Sequence, residues 1–80
     1  MRLDFSGQSK VVGAKQVRRA LEAGTARTVL LADDADPRVT EPVVRLCEAK
    51  GVALERGYTM KDLGSACGLA VGSAVAALLG

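Results

Sequence analysis

The stretch RTVLLADDADP, residues 27–37, decides the fold. After Arg27 and Thr28 comes an unbroken apolar run, Val29-Leu30-Leu31-Ala32, of strand length and partly β-branched. A strand with one solvated face alternates apolar and polar residues, whereas a strand covered on both faces is apolar throughout. The run therefore predicts a strand at 27–32 buried on both sides. Asp33-Asp34-Ala35-Asp36-Pro37 ends it as a polar turn. Those three acids are also candidates for a divalent cation, and the turn is the simpler reading.

Working outward, the flanking segments read as the covering layers. Upstream, VGAKQVRRALEAG (residues 12–24) predicts a helix at 14–23 with Val17, Ala20 and Leu21 on one face and Gly24 as its stop. Ser9 to Val12 before it suits a short strand. Downstream, Thr40 is a good helix cap with Pro42 in the first turn, where a missing N–H costs little. Val43, Val44, Leu46 and Cys47 form the apolar side of this second helix, and Gly51 closes it. Val52 to Leu54 is a short strand. Thr59 caps a third helix from Met60 to about Cys67, with Leu63, Ala66 and Cys67 inward and Gly68 at its end. Residues 68–72, GLAVG, are a loop, and Ser73 to Leu79 is the last strand. The order β-α-β-α-β-α-β predicts an α/β fold, a three-layer α-β-α sandwich around a central mixed four-stranded sheet.

Eighty residues suggest one domain spanning 1–80. A chain of this size buries only about 60–65% of its unfolded surface. Its apolar residues are mainly Ala, Val and Leu, which suit closely packed layers, and Phe5 and Tyr58 are the only aromatics. There is no His, and Cys47 and Cys67 are the only Cys. A structural zinc site needs four ligands, usually Cys or His, so none is expected. The two Cys are expected to be reduced and buried. No segment approaches the ~20 apolar residues of a membrane span, and Met1–Phe5 lacks the apolar centre of a signal peptide. The expectation is a soluble, cytoplasmic protein without a membrane partner. Without His there is no Ser-His or Cys-His pair, and no GxxxxGK phosphate loop is present, so neither an enzyme nor a bound cofactor is expected.

Net charge is only +2, but the charge is segregated. Residues 10–19 carry Lys10, Lys15, Arg18 and Arg19 without an acid. A local basic face matters more to a polyanion than the total does. The first helix also opens against its own dipole. Helix starts favour a polar cap and acidic residues, yet Gly13 is followed by Lys15 and Gln16, and the first acid is Glu22. At ~100° per residue, Lys15, Gln16 and Arg19 share about one quarter of the circumference, opposite the core side. The plain reading is a solvated face. The functional reading is an anion site: Gly13 leaves the first N–H groups unobstructed, and the Gln16 amide can donate and accept at a base edge. In GLAVG, Leu69 and Val71 either face outward as an apolar lip or fold inward to begin the last strand. The pattern leaves both readings open.

The stretches VGAKQVRRALEAG, TVLLADDADP, VVRLCEAKGV and LGSACGLAVGSAVAALL, in this order and spacing, resemble the kink-turn RNA-binding ribosomal protein superfamily of the archaeal large-subunit "seven-Ae" type. The likeness runs from about Lys10 to Leu79 and is strongest to small bacterial members. It implies the same sandwich and recognition of kink-turns, RNA internal loops with tandem sheared G·A pairs and a sharp bend. The archaeal pattern at the helix start is Gly-x-Asn-Glu-x-x-Lys, and Gly13, Lys15, Gln16 and Arg19 stand at those positions. Lys-Gln in place of Asn-Glu looks like the bacterial version. By this resemblance Lys15 and Gln16 contact the guanine edges, and Arg19 contacts guanine or phosphate. Leu69, Ala70 and Val71 match the apolar loop that packs on a flipped-out nucleotide, and many members carry Glu where this chain has Ala70. Lys61 matches a basic residue near the bend, though a solvent-exposed lysine is the simpler role. The partner implied is structured RNA, within a ribosome or another ribonucleoprotein; a monomer is expected because the basic face must remain open. The alternative is a protein-interaction module that keeps the fold without RNA binding.

Overall fold

Val29 and Leu31 point to one face of the sheet, Leu30 and Ala32 to the other, and all four are buried. The unbroken apolar run thus lies between two helical layers. The structure, a computed structural model, describes residues 9–80, so Met1–Phe5 lie outside it. The elements run β1 (Lys10–Val12), α1 (Ala14–Ala23), β2 (Ala26–Ala32), α2 (Pro37–Lys50), β3 (Ala53–Tyr58), α3 (Met60–Ala66) and β4 (Val75–Leu79). They form one mixed four-stranded sheet in the order β1-β4-β2-β3. β4 is antiparallel to both β1 and β2, and β3 runs parallel to β2.

The two cores are unequal. On one face α1 and α2 bring Val17, Leu21, Val43 and Cys47 onto Val29, Leu31, Val75 and Ala77. On the other, among the described residues, α3 and the Cys67 at its end bring Leu63 and Cys67 onto Leu30, Ala32, Ala76 and Leu78. Ala76 and Ala77 are fully buried, and their small side chains let both layers approach β4 closely. Cys47 and Cys67 are free and buried in cores on opposite faces, so they cannot pair. Burial pushes both thiols above their ordinary pKa, which leaves them protonated and inert. No described helix is long and apolar enough to cross a membrane.

The α-β-α sandwich and the bounds of α1 agree with expectation. The start of α2 does not. Asp36, not Thr40, is its cap, and Pro37 rather than Pro42 occupies the first turn. Both pairs have the same sequence logic, and the earlier one prevails because its cap is complete. The Asp36 carboxylate accepts the Arg38 backbone N–H at 2.9 Å and the Arg38 guanidinium at 2.8 Å. That guanidinium holds the Asp36 carboxyl below the usual carboxylate range. Pro42 therefore lies inside the helix, leaving the Arg38 carbonyl without its helical donor on an exposed side where water can serve.

β3 is longer than the expected 52–54. It is an edge strand, and its exposed Glu55, Arg56 and Gly57 read as loop because an edge carries charge and needs little burial. β4 begins at Val75 rather than Ser73, since the Ser73 N–H turns to the Met60 carbonyl at 3.0 Å. The acids at 33, 34 and 36 form more than a polar turn. Asp33 accepts from the Gly57 N–H, Asp34 from the Met60 N–H, and Asp36 caps α2. Among the described residues no group of acids, Cys and His is arranged to hold a metal.

Candidate nucleic-acid interface

Gly13 turns the chain from β1 into α1 at φ +96°, ψ 148°, a region essentially reserved for glycine. Its N–H donates to the Val75 carbonyl at 3.1 Å, tying the helix start to the start of β4. A Cβ at Gly13 would meet nothing within 4 Å, so the dihedral, not space, demands glycine. Gly13→Ala is expected to cost about 1–3 kcal/mol of stability through that strain. Denaturant melts would measure it, and an unchanged midpoint would mean the turn relaxes freely.

No side chain caps α1, and its first turn holds no acid. Lys15, Gln16 and Arg19 are exposed. Among the described residues they enter neither of the two ion pairs, Arg38–Asp36 and Arg45–Glu41. The helix dipole and the cations thus add in one place. Arg18 departs from this face and lines the furrow between α1 and α2 beside Val39.

The second half of the site lies over the other core. Asp34, Met60, Lys61, Leu69, Ala70 and Val71 border a cleft between the start of α3 and the 69–72 loop. Leu69 is 37% and Val71 73% exposed, which decides for the outward lip. Thr59 and Asp34 together hold the start of α3. The Thr59 hydroxyl accepts from the Asp62 N–H at 3.0 Å, and the Asp34 carboxylate accepts from the Met60 N–H at 2.7 Å.

Both halves stand at the same end of the sheet, where β1, β2 and β3 finish and β4 begins. Three backbone bonds along residues 73–75 connect them. Ser73 N–H donates to Met60 C=O, Ala32 N–H to Ala74 C=O, and Gly13 N–H to Val75 C=O. The structure therefore gathers Lys61, Leu69, Ala70 and Val71 around one cleft. It keeps Lys15, Gln16 and Arg19 apart on α1, above the opposite face. Sequence reasoning placed Asp34 in a turn and not at the cleft that it borders, and it missed Gly64, against which the loop backbone rests. A glycine inside a helical pattern was the available signal for Gly64.

These features define a class: a small three-layer α/β protein with exposed cations and an apolar lip at one end of its sheet. The chain belongs to the ribosomal protein L7Ae/L30e/S12e/Gadd45 family, whose sequence profile matches residues 6–79. It is 40% identical over 72 residues to a Bacillus pumilus protein named RNA-binding protein, covering 90% of this chain and 88% of that one. It is 38% identical over 68 residues to large ribosomal subunit protein eL8 of Haloquadratum walsbyi, covering 84% of this chain and 57% of the other. Among solved structures, the Giardia lamblia 15.5kD RNA binding protein superposes with a TM-score of 0.85 at 30% identity. That match covers 90% of this chain and 61% of the Giardia chain.

Proposed function

We propose that this chain is a single RNA-binding unit that recognises kink-turns, working as a monomer in the ribosome or another ribonucleoprotein. The observation that carries the reading is the uncapped, acid-free start of α1 with exposed Lys15, Gln16 and Arg19, at the same sheet end as the apolar lip. A folded internal loop offers what each half needs. Its sheared G·A pairs present base edges and phosphates to α1, and its unstacked nucleotide offers an apolar face to Leu69 and Val71. The scarcity of aromatics suits a reader of groove edge and shape better than a single-strand reader, which stacks bases on aromatic rings. The names of the bacterial, archaeal and Giardia relatives support RNA as the partner. The act is binding, with no catalytic step.

The test is a titration against two labelled RNAs at physiological salt. One is a standard kink-turn, and in the other Watson–Crick pairs replace the tandem G·A pairs. Tight binding to the first alone is expected. Lys61→Ala should weaken it modestly and lower the salt slope by at most ~1. Weak, equal and salt-sensitive binding to both would reduce the α1 face to a general basic patch. No binding to either would leave a protein-interaction module as the reading.

A further inference from the structure

Gly64 lies inside α3, where glycine is about 1 kcal/mol worse than alanine. Its φ is not among the positive ones, so backbone freedom does not explain it. Space does. A Cβ at Gly64 would run into the Val71 carbonyl oxygen and stand 2.9 Å from the Gly72 Cα. Both obstacles are backbone, so neither can swing aside. One helical turn earlier the same approach recurs: a Cβ at Gly72 would lie 3.2 Å from the Met60 Cβ, carbonyl carbon and oxygen. Hydrogen bonds close both ends of this contact. Leu69 N–H donates to the Gly64 carbonyl at 2.8 Å, and Ser73 N–H donates to the Met60 carbonyl at 3.0 Å.

Residues 69–73 therefore lie main chain against main chain along one turn of α3. With no room for a side chain between them, Leu69 and Val71 must turn to the outer side, where they are exposed. We propose that Gly64 is a positioning residue for RNA recognition: its missing side chain seats the 69–72 loop on α3 and presents Leu69 and Val71, already oriented, to an unstacked base. This rests on the kink-turn reading above. A loop held by two backbone bonds and a backbone contact loses little freedom on binding, which is what a small apolar contact needs to be worth its area.

The test compares wild type, Gly64→Ala, Val71→Ala and the double variant on a kink-turn RNA and on the same RNA with its loop nucleotide made abasic. Gly64→Ala is expected to weaken binding to the intact RNA by about tenfold or more, the scale of one lost apolar side-chain contact. On the abasic RNA the change should be under about twofold, and the double variant should be no weaker than Gly64→Ala alone, since both act through one contact. Equal losses on both RNAs would assign Gly64 to the fold alone and overturn the proposal, as would an unchanged affinity for the intact RNA. Should Gly64→Ala fail to fold, Gly72→Ala, with its milder approach to Met60, carries the same comparison and the same expectations. Wild type that binds neither RNA would instead overturn the kink-turn reading, an outcome separate from wild type and variant binding alike.

Discussion

Leu30→Ala and Leu31→Ala, adjacent in β2, are each expected to cost about 2–5 kcal/mol, yet to loosen opposite halves of the site. Leu30 and Leu31 are fully buried, at 0% and 1% exposure. Leu31 sits under α1 and α2, while Leu30 sits under α3, where Leu63 and Leu78 are the other large aliphatic residues of the buried cluster. A chain this short has about 4–12 kcal/mol of stability in all, so either change takes a large share. Native-state hydrogen exchange separates the two. Leu30→Ala should open the amides of α3 and of Leu69 and Ser73, which donate to α3 carbonyls, before those of α1. Leu31→Ala should reverse that order. A uniform loss of protection in both variants would show that the two layers unfold as one unit and would refute the division.

Gln16→Ala is expected to weaken kink-turn binding by about 1–3 kcal/mol, roughly 5- to 150-fold, and to blur the preference for tandem G·A pairs. Gln16 is exposed on α1, two residues inside the uncapped start, and carries no charge. Its amide can donate and accept at once, the requirement for reading a base edge rather than a phosphate. Its removal should therefore leave the salt dependence nearly unchanged. Arg19→Ala should lower the salt slope by about 1 if the guanidinium meets phosphate. Binding isotherms at several salt concentrations, on RNAs with and without the G·A pairs, measure both effects. Equal loss on the two RNAs would remove Gln16 from the reading of sequence.

The site was legible to different depths. Lys15, Gln16 and Arg19 stood out because helical periodicity and the dipole are local properties, and a helix that opens with cations on Gly13 breaks a local rule. Asp33 and Asp34 read as a polar turn or a cation site, not as long-range acceptors. Their partners, Gly57 and Met60, lie 24 and 26 residues away, and no spacing in the sequence announces a bond of that range. Gly64 showed only as a glycine inside a helical pattern, since the backbone contact that explains it leaves no side-chain pattern.

By itself, then, the sequence determined that β2 is buried on both faces, that α1 spans Ala14–Ala23, and that three helices sandwich a sheet. Apolar period, caps and glycine stops act within a few residues and survive in a linear reading. Only the tertiary structure decided the strand order β1-β4-β2-β3 and the length of the edge strand β3. It alone turned Leu69 and Val71 outward. Strand order, edge pairing and the lip are settled by hydrogen bonds and backbone contacts between distant segments, whereas the start of α2 at Asp36 rests on local bonds to Arg38.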